Sequence, residues 1–465
     1  MALLGLSVAS HTASAATRTV PSQYPTIQAA LNACADGDRV LISDGTYAGP
    51  GNVDLEIGDK KITVEAAGGD PSKTLIDCGG PANGHRAFRL QSRHHPHILI
   101  RGLTIQNGSA DPGGAIDNEN ATLEVKNCVF YNCAAIFFGG AVYNGVGTST
   151  LNGCSFIGNS ANYGAVSNAY SDGVLTVTGC RFSQNVGTEG AEGSALYNTG
   201  LLYASNCLFD SNSNPHGGGT VENYYGRASL TNCAFQNNYA VTGGGVENQG
   251  LGVIRLTGCA FNGNVTFFDG GAFRNFGTAV VANCEFSRNV AHTDGGGIEN
   301  YGKLSLTGCT LTDNEANLGG GIDNEYNALA RVTNCDFVGN KSYNLGGGAY
   351  DRFYSVLTLT NDIFWDNVSR SANQIDTDLY SGFNNPIVKA AYCDILGGYI
   401  GQDNVNADPL FLDAAAGDYH LKSGSPCAGM GTRRAPAYLP YAEDYQPRPN
   451  PPSIGAFEVE SSHTE

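Results

Sequence analysis

Positive charge is scarce in this sequence. Its 465 residues include 25 Lys and Arg against 43 Asp and Glu, which gives a formal net charge of −18. A surface with this balance repels phosphate backbones, so we expect no nucleic acid as a partner. The same surface suits divalent cations and neutral or cationic glycans. No later stretch has the length and apolarity of a membrane span, so the sequence predicts no transmembrane segment.

Charged residues of both signs are few, at 15% of the chain, whereas glycine is abundant at 63 residues. Together with short apolar runs, this composition favours a β-rich solenoid over a helical protein. The 14 cysteines contain no CxxC pair, so we do not expect a zinc site.

The first residues are typical of a secretion signal. Leu3, Leu4, Leu6 and Val8 form a short apolar stretch, and residues 13–15 (Ala-Ser-Ala) give a small-residue cleavage signature. The basic segment that normally comes first is missing, which indicates a truncated start. We therefore expect a signal peptide over 1–15 and a secreted or cell-surface protein.

Two residue columns recur about every 26 residues through most of the chain. One is an Asn that follows a glycine cluster, from Asn118 to Asn324, with Asp351 in the tenth place. The other is a Cys midway between these positions, from Cys128 to Cys335. Such a period indicates stacked units, each too small to bury its own apolar face.

Residues 295–314 show what one unit contains. Apolar and polar residues alternate in three short runs, around Ile298, Leu304 and Cys309, and Gly-rich or Asn-rich bends separate the runs. Three strands a turn, too closely spaced for helical crossovers, predict an all-β chain, a single-stranded three-sided parallel β-helix of about twelve coils.

The expected organisation has four parts. They are a signal peptide over 1–15, an N-terminal cap and first coils over 16–98, regular repeats over 99–370, and irregular last coils with a C-terminal cap and tail over 371–465. Apolar residues on one helical face predict a capping helix over 26–35, followed by strands over 39–43 and 62–66.

The repeated side chains have structural explanations. Both Asn columns, the second running from Asn159 to Asn367, can satisfy backbone groups at bends. The Phe two residues after most of the column cysteines predicts an aromatic stack. Thiols stacked about 4.8 Å apart are too distant for disulfides, so we interpret them as small apolar groups. Off the column, the pairs Cys34–Cys78 and Cys393–Cys427 remain plausible disulfides of the two caps.

The repeats resemble a known family. The strings GGAI (113–116), GGAV (139–142), FIGN (156–159), FSQN (182–185) and FVGN (337–340) are similar to the polymorphic outer-membrane protein repeat. The resemblance covers about 103–367 and implies a right-handed parallel β-helix of the pectin-lyase-like superfamily, used for adhesion in chlamydial surface proteins. Residues 24–47 resemble the N-terminal cap of that superfamily. The strings DPLF, DYHLKSGSP and SIGAFE resemble the choice-of-anchor Q domain. We expect no anchoring tail after it. The Asn-Thr-Asp, Gly-His-Gly and Arg-Ile-Lys strings of polygalacturonases are absent.

The residue before each turn Asn forms a candidate site. We expect this column to face water, because it alternates with buried neighbours. Its members are Asp117, Tyr143, Ser167, Tyr197, Glu222, Glu247, Arg274, Glu299, Asp323 and Tyr350. Glu247, Arg274 and Glu299 could bind carbohydrate or Ca²⁺, and they are the catalytic candidates if the protein is an enzyme. The resemblance to the superfamily implies a similar arrangement, because its lyases hold Ca²⁺ on carboxylates and use an Arg as base. The alternative is a surface charge ladder of little energetic value.

Two further features accompany this column. Asp269 and Asp294 precede glycine clusters in adjacent coils and could share a Ca²⁺ ion, or they could be ordinary turn carboxylates. Aromatic residues flank the turn Asn and suit sugar rings, or they shield the flank of the solenoid. They are Tyr143, Tyr197, Tyr224, Tyr225, Phe276, Tyr301, Tyr326 and Tyr350.

The sequence thus predicts an exported, adhesin-like protein that binds polysaccharide or a cell-surface glycan. The predicted contact residues are Glu222, Glu247, Arg274, Glu299, Asp323, Tyr224, Phe276, Tyr301 and Tyr350. Two alternatives remain open: a polysaccharide lyase or glycoside hydrolase on the same face, with or without a need for Ca²⁺, and a structural surface-layer component. No cofactor other than Ca²⁺ is indicated.

Overall fold

A computed structural model describes residues 15–92, 94–377, 386–435 and 437–459. The chain forms a single-stranded parallel β-helix, as predicted, in which four sheets run along the solenoid. Nearly all of the predicted signal peptide, residues 1–14, lies outside the described residues. Within the described residues, none of the helices is long and apolar enough to span a membrane.

Two long sheets carry the regular period. Sheet A has sixteen strands: Thr17–Val20, Arg39–Ile42, Ile62–Ala66, His97–Arg101, Thr122–Lys126, Thr148–Asn152, Val174–Thr178, Leu201–Ser205, Arg227–Thr231, Val253–Thr257, Thr278–Ala282, Lys303–Thr307, Leu329–Thr333, Val356–Thr360, Ile387–Ala391 and Gly401–Gln402. Sheet B has fourteen: Gly45–Ala48, Thr74–Asp77, Thr104–Gln106, Val129–Tyr131, Ser155–Ile157, Arg181–Ser183, Leu208–Asp210, Ala234–Gln236, Ala260–Asn262, Glu285–Ser287, Thr310–Thr312, Asp336–Val338, Ile363–Trp365 and Asp394–Ile395.

Two further sheets complete each coil. Sheet C has eight strands: Ser160–Ala161, Val186–Gly187, Ser213–Asn214, Tyr239–Ala240, Val265–Thr266, Val290–Ala291, Glu315–Leu318 and Lys341–Leu345. Sheet D has thirteen: Leu55–Glu56, Phe88–Leu90, Ile116–Asn118, Val142–Asn144, Val166–Asn168, Leu196–Asn198, Val221–Tyr224, Val246–Gln249, Phe273–Asn275, Ile298–Asn300, Ile322–Asn324, Ala349–Asp351 and Ile375–Thr377.

The structure differs from the prediction in the number of sides and coils. The middle coils have four sides, because sheet C adds strands of mostly two residues, too short to show an alternation in the sequence. The fourteen strands of sheet B give about fourteen turns rather than twelve. The additional turns lie at the ends, where the 26-residue period fades.

The interior confirms the predicted columns. Phe rings on successive strands of sheet B stack 4.6–4.9 Å apart from Phe130 to Phe286, and Phe337 stacks on Phe364 at 4.3 Å. Both Asn columns form ladders, as where Asn159 donates to the Asn185 amide oxygen at 3.0 Å. A buried amide that lost such a bond would cost about 1–3 kcal/mol.

All fourteen cysteines are free and buried. The column forms an inner file, as predicted, and the Cys259 backbone N–H donates to the Cys284 sulfur at 3.3 Å. The predicted disulfides Cys34–Cys78 and Cys393–Cys427 are wrong, since none of these thiols is paired. The Cys427 thiol instead donates to the Asp394 carboxylate at 3.0 Å.

The two ends of the chain are built differently. The predicted capping helix spans Ile27–Ala33, is N-capped by Thr26, and packs against the first strands. The C-terminal part contains a short hairpin, Phe411–Asp413 and Asp418–Leu421, joined by a 3₁₀ turn at Ala414–Ala416. It packs on the outer face of sheet B, where Phe411, Tyr419, Leu421, Cys427 and Ile454 form a second apolar cluster with Val338 and Ile363.

Candidate functional site

The predicted column before the turn Asn is a continuous file on the outer side of sheet D. Its members pair in register on adjacent strands, Glu222 with Glu247, Glu247 with Arg274, and Arg274 with Glu299. Asp323 and Tyr350 continue the file. We call these residues, with Tyr197 before them, the D file. Four carboxyl groups and one guanidinium therefore follow one another at strand spacing, about 4.8 Å.

The D file does not face water, and that part of the prediction is wrong. The side chains of Glu222, Glu247, Glu299 and Asp323 are fully buried, and Tyr350 is 5% exposed. The D file points outward from its own strands, but side chains from the bends at both ends of these strands cover it.

The cover comes from two columns that the strand alternation does not reveal. The rim column precedes the glycine clusters and includes Glu192, Asp269 and Asp294. The corner column directly follows the turn Asn and includes Phe276, Tyr301, Glu325 and Arg352. Tyr301 of the corner column donates its hydroxyl to the Asp269 carboxylate of the rim column at 3.4 Å. Arg352 of the corner column donates to Asp294 of the rim column at 2.7 Å. Both bridges cross the D file, and we call the D file together with these rim and corner side chains the trough.

Arg274 is the charge centre of the middle of the trough. Its guanidinium lies 3.2 Å from Glu247 and 3.3 Å from Asp269. It also lies 4.6 Å from the centre of the Phe276 ring and 5.2 Å from that of Tyr301. Burial opposes its charge, but Glu247 and Asp269 outweigh burial and raise the pKa of Arg274. Arg274 is therefore a clamp that keeps its proton, which is unfavourable for the role of a base.

Arg352 is the second buried positive charge of the trough, and it is not among the residues predicted from the sequence. Its guanidinium lies 2.7 Å from Asp294, 3.0 Å from Asp323 and 2.8 Å from Glu325. Burial raises the pKa of Glu325 to about 7 despite this pairing. The sequence does contain a pattern that could have identified it. Glu325 and Arg352 occupy the position directly after the turn residue, where other coils have Phe276 or Tyr301.

Two carboxyl groups of the D file have neither an ion pair nor a side-chain hydrogen-bond partner within the described part of the chain. Both oxygens of Glu222 and both of Glu299 are buried and unbonded. Burial, followed by the charge of Glu247, raises the pKa of Glu222 well above its usual value. Burial, followed by the charge of Asp323, does the same for Glu299. Burial therefore disfavours the charged form of both carboxyl groups.

The possible Ca²⁺ ligands are engaged by other groups. Asp269 contacts Arg274 and accepts a hydrogen bond from Thr293, whereas Asp294 contacts Arg352. In the part of the chain that the structure describes, no three His, Cys, Asp or Glu side chains are placed to hold a metal ion. A Ca²⁺ site at Asp269 and Asp294 therefore stays a prediction, and both carboxylates would have to leave their arginine partners to bind the ion.

The corner aromatics form a stack beside the trough. Ring centres lie 4.6 Å apart for Phe276 and Tyr301, 5.9 Å for Tyr301 and Tyr326, and 4.9 Å for Tyr326 and Phe353, with interplanar angles of 6–13°. The stacked faces cover one another and leave ring edges accessible. Tyr326 is 58% exposed. A cavity of about 290 Å³ lies beside the stack, lined in part by Phe276, Tyr301 and Leu329.

The other predicted aromatics divide into two groups. Tyr143, Tyr197 and Tyr350 are buried, with 4–5% of their surface accessible, so the expectation that they are exposed is wrong. Tyr225 is 58% exposed and Tyr224 is partly buried.

No protein-family model matches the chain, and no curated protein matches it. The resemblances to the outer-membrane protein repeat and to the choice-of-anchor Q domain therefore stay predictions.

Solved structures similar to the chain include three polysaccharide-degrading enzymes. The catalytic unit of the GH87 α-1,3-glucanase from Streptomyces thermodiastaticus shares 12% identity at a TM-score of 0.40, over 82% of this chain and 65% of that one. A PL6 family polysaccharide lyase from Pseudopedobacter saltans shares 15% identity at a TM-score of 0.40, over 85% of this chain and 95% of that one. Pectate lyase Pel9A shares 12% identity at a TM-score of 0.33, over 93% of this chain and 91% of that one. The chain spans 55% of the PL6 alginate lyase AlyGC. Likenesses this distant carry no argument about the site, and the β-helix of this chain follows from its own strand register.

Proposed function

We propose that the protein is an exported, surface-associated β-helix protein that binds polysaccharide along the outer face of sheet D. The observation that carries this proposal is the alignment of charged groups and aromatic rings over seven consecutive strands, from Leu196–Asn198 to Ala349–Asp351. At about 4.8 Å a strand, they cover roughly 29 Å in a straight line. A surface of this shape suits a long, extended ligand.

The accessible groups at the trough have the chemistry that sugars require. Arg274 and Asp269 keep 17% and 16% of their side-chain surface accessible, so they can still bind hydroxyl groups. The neighbouring cavity is lined by rings and by the aliphatic side chain of Leu329. Sugars have apolar faces and polar edges, and such mixed surfaces bind them. The location outside the cell rests on the sequence of residues 1–15.

A glycoside hydrolase is the second candidate. Glu299 is buried without a hydrogen-bond partner, and the pKa of Glu325 is about 7. Carboxylic acids that keep a proton near neutral pH can act as general acids. The lyase alternative is less favoured, because Arg274 is held as a cation by two carboxylates and Asp269 and Asp294 have arginine partners.

Retention on insoluble polysaccharides tests the proposal. The variant Tyr326→Ala removes an exposed ring beside the trough, and Tyr203→Ala removes a ring of similar exposure, 51%, from the strand Leu201–Ser205 of sheet A. We expect Tyr326→Ala to weaken retention about tenfold, the equivalent of about 1.4 kcal/mol, and Tyr203→Ala to leave it unchanged. Equal behaviour of the two variants would refute binding at this face.

The same samples separate binding from catalysis. Release of reducing ends by the wild type, lost in Glu299→Gln and kept in the exposed sheet B control Glu285→Gln, would establish the hydrolase. Retention without release of reducing ends establishes binding alone.

A further inference from the structure

The end of the trough nearest the N-terminus differs from the rest, because its aromatic rings are tilted. Tyr163 and Tyr197 lie 4.9 Å apart at an angle of 50°. Tyr224 and Tyr225 lie 4.7 Å apart at 77°. Phe138 covers one face of Tyr163 at 4.6 Å and Tyr197 is buried, so Tyr224 and Tyr225 are the more accessible rings, with Tyr225 58% exposed. We call Tyr163, Tyr197, Tyr224 and Tyr225 the tyrosine cluster.

Two carboxyl groups lie beside this cluster: Glu222 pairs in register with Tyr197, and the Glu192 backbone N–H donates to the carbonyl of Asn162, next to Tyr163. Glu192, on the rim column, is partly exposed, and its charge raises the pKa of Tyr224. Glu222 lies below, fully buried, with both oxygens unbonded among the described residues. The cation whose charge acts on Glu222 is Arg274, and that guanidinium is bound to Glu247 and Asp269.

A glycine gives these carboxyl groups their space. A Cβ atom on Gly218 would lie 2.4 Å from Oε2 of Glu222 and 2.7 Å from Oε2 of Glu247. The two carboxyl groups therefore share one recess that is closed to any larger residue at this position. Arg274 balances the charge of Glu247, whereas burial and the charge of Glu247 disfavour a charge on Glu222 and raise its pKa.

We propose that the tyrosine cluster, with Glu192 and Glu222, recognises a protonated amine carried by a sugar, so that the polysaccharide of the proposed function is a cationic, amino-sugar glycan. The inference rests on that proposed function and names its ligand class. Tyrosine faces attract an ammonium group through their quadrupole, and the carboxyl groups supply acceptors and charge. A divalent metal does not account for the rings, and a neutral sugar does not account for the unpaired buried acids.

Matched oligosaccharides test the inference. Glucosamine oligomers are compared with their N-acetylated forms and with glucose oligomers of equal length, by calorimetric titration at mildly acidic pH, where the amine is protonated. We expect the amine form to bind at least tenfold more tightly than the acetylated form, and added salt to weaken it. Glu192→Gln and Tyr224→Ala should each reduce amine binding about tenfold, whereas the exposed sheet B variant Glu285→Gln should not.

Glu222→Gln provides a variant that keeps the fold, because the amide has nearly the same shape as the carboxyl group and places no charge in the buried position. It should melt like the wild type and lose amine preference. Equal affinity for the three oligomers would overturn the amine inference and leave glycan binding intact. Binding to none of the glycans would overturn both proposals. Amine binding that survives Glu192→Gln and Tyr224→Ala, or that a chelator abolishes, would overturn the site.

Discussion

Replacing Arg352 with methionine tests the electrostatics of the trough most sharply. Arg352 is 11% exposed and lies within 3.0 Å of Asp294, Asp323 and Glu325. Removal of one member of a buried ion pair typically costs about 3–5 kcal/mol, because the remaining charges stay buried without compensation. Unfolding entropy is about 2.1 cal/mol/K per residue, so for 465 residues the loss corresponds to a fall in melting temperature of about 3–5 °C.

The loss of stability caused by Arg352→Met should depend on pH. Loss of Arg352 raises the pKa values of its three carboxyl partners further in the folded state. Groups with raised folded pKa values stabilise the fold below their unfolded pKa, near 4, and this contribution is lost as pH rises. The deficit of Arg352→Met should therefore be largest near pH 8 and smallest near pH 4.

Thermal melts monitored by circular dichroism at both pH values measure this effect. Arg255→Met, an exposed position on sheet A, is the matched control and should melt like the wild type. A deficit in Arg352→Met that equals that of the control, or that grows as the pH falls, would refute the account of the trough.

Three further predictions concern the rest of the molecule. Phe261 stacks on Phe235 and Phe286 at 4.7 and 4.8 Å, so Phe261→Ala should cost about 3–5 kcal/mol, seen as a lower urea midpoint. Burial raises the pKa of Asp336 to about 7, so its contribution to stability, about 4 kcal/mol from three pKa units, is present below pH 4 and lost as pH rises through 7. Asp336→Asn should remove that part of the pH profile in proteolysis of the C-terminal segment. All fourteen thiols are buried and unpaired, so a thiol reagent should label them only after denaturation, and rapid labelling of the native protein would contradict the structure.

The repeat made the interior predictable from the sequence. A column of Phe, Cys or Asn at one position of the period has the same neighbours in every coil, so identity and spacing determine its packing. Phe261 and Asn185 could be assigned for this reason. The same reasoning predicted which side chains of the D file, such as Glu247 and Arg274, become neighbours.

The covering of the D file could not be predicted in this way. Alternation along a strand distinguishes inside from outside of the coil, but it does not show that Tyr301 and Arg352 lean across to Asp269 and Asp294. Arg352 occurs once in its column, so no repetition marked it. The short strands of sheet C and the packing of the C-terminal segment on sheet B depend on long-range contacts without a period.

Footprinting of exposed tyrosines tests the central claim most directly. The protein is labelled by hydroxyl radicals with and without the polysaccharide that retains it most strongly, and modified residues are read by mass spectrometry. Binding at sheet D predicts protection of Tyr225 and Tyr326 and unchanged labelling of Tyr131 and Tyr203, which are 50% and 51% exposed on sheets B and A. Protection of Tyr131 or Tyr203 with none at Tyr225 and Tyr326 would contradict the claim.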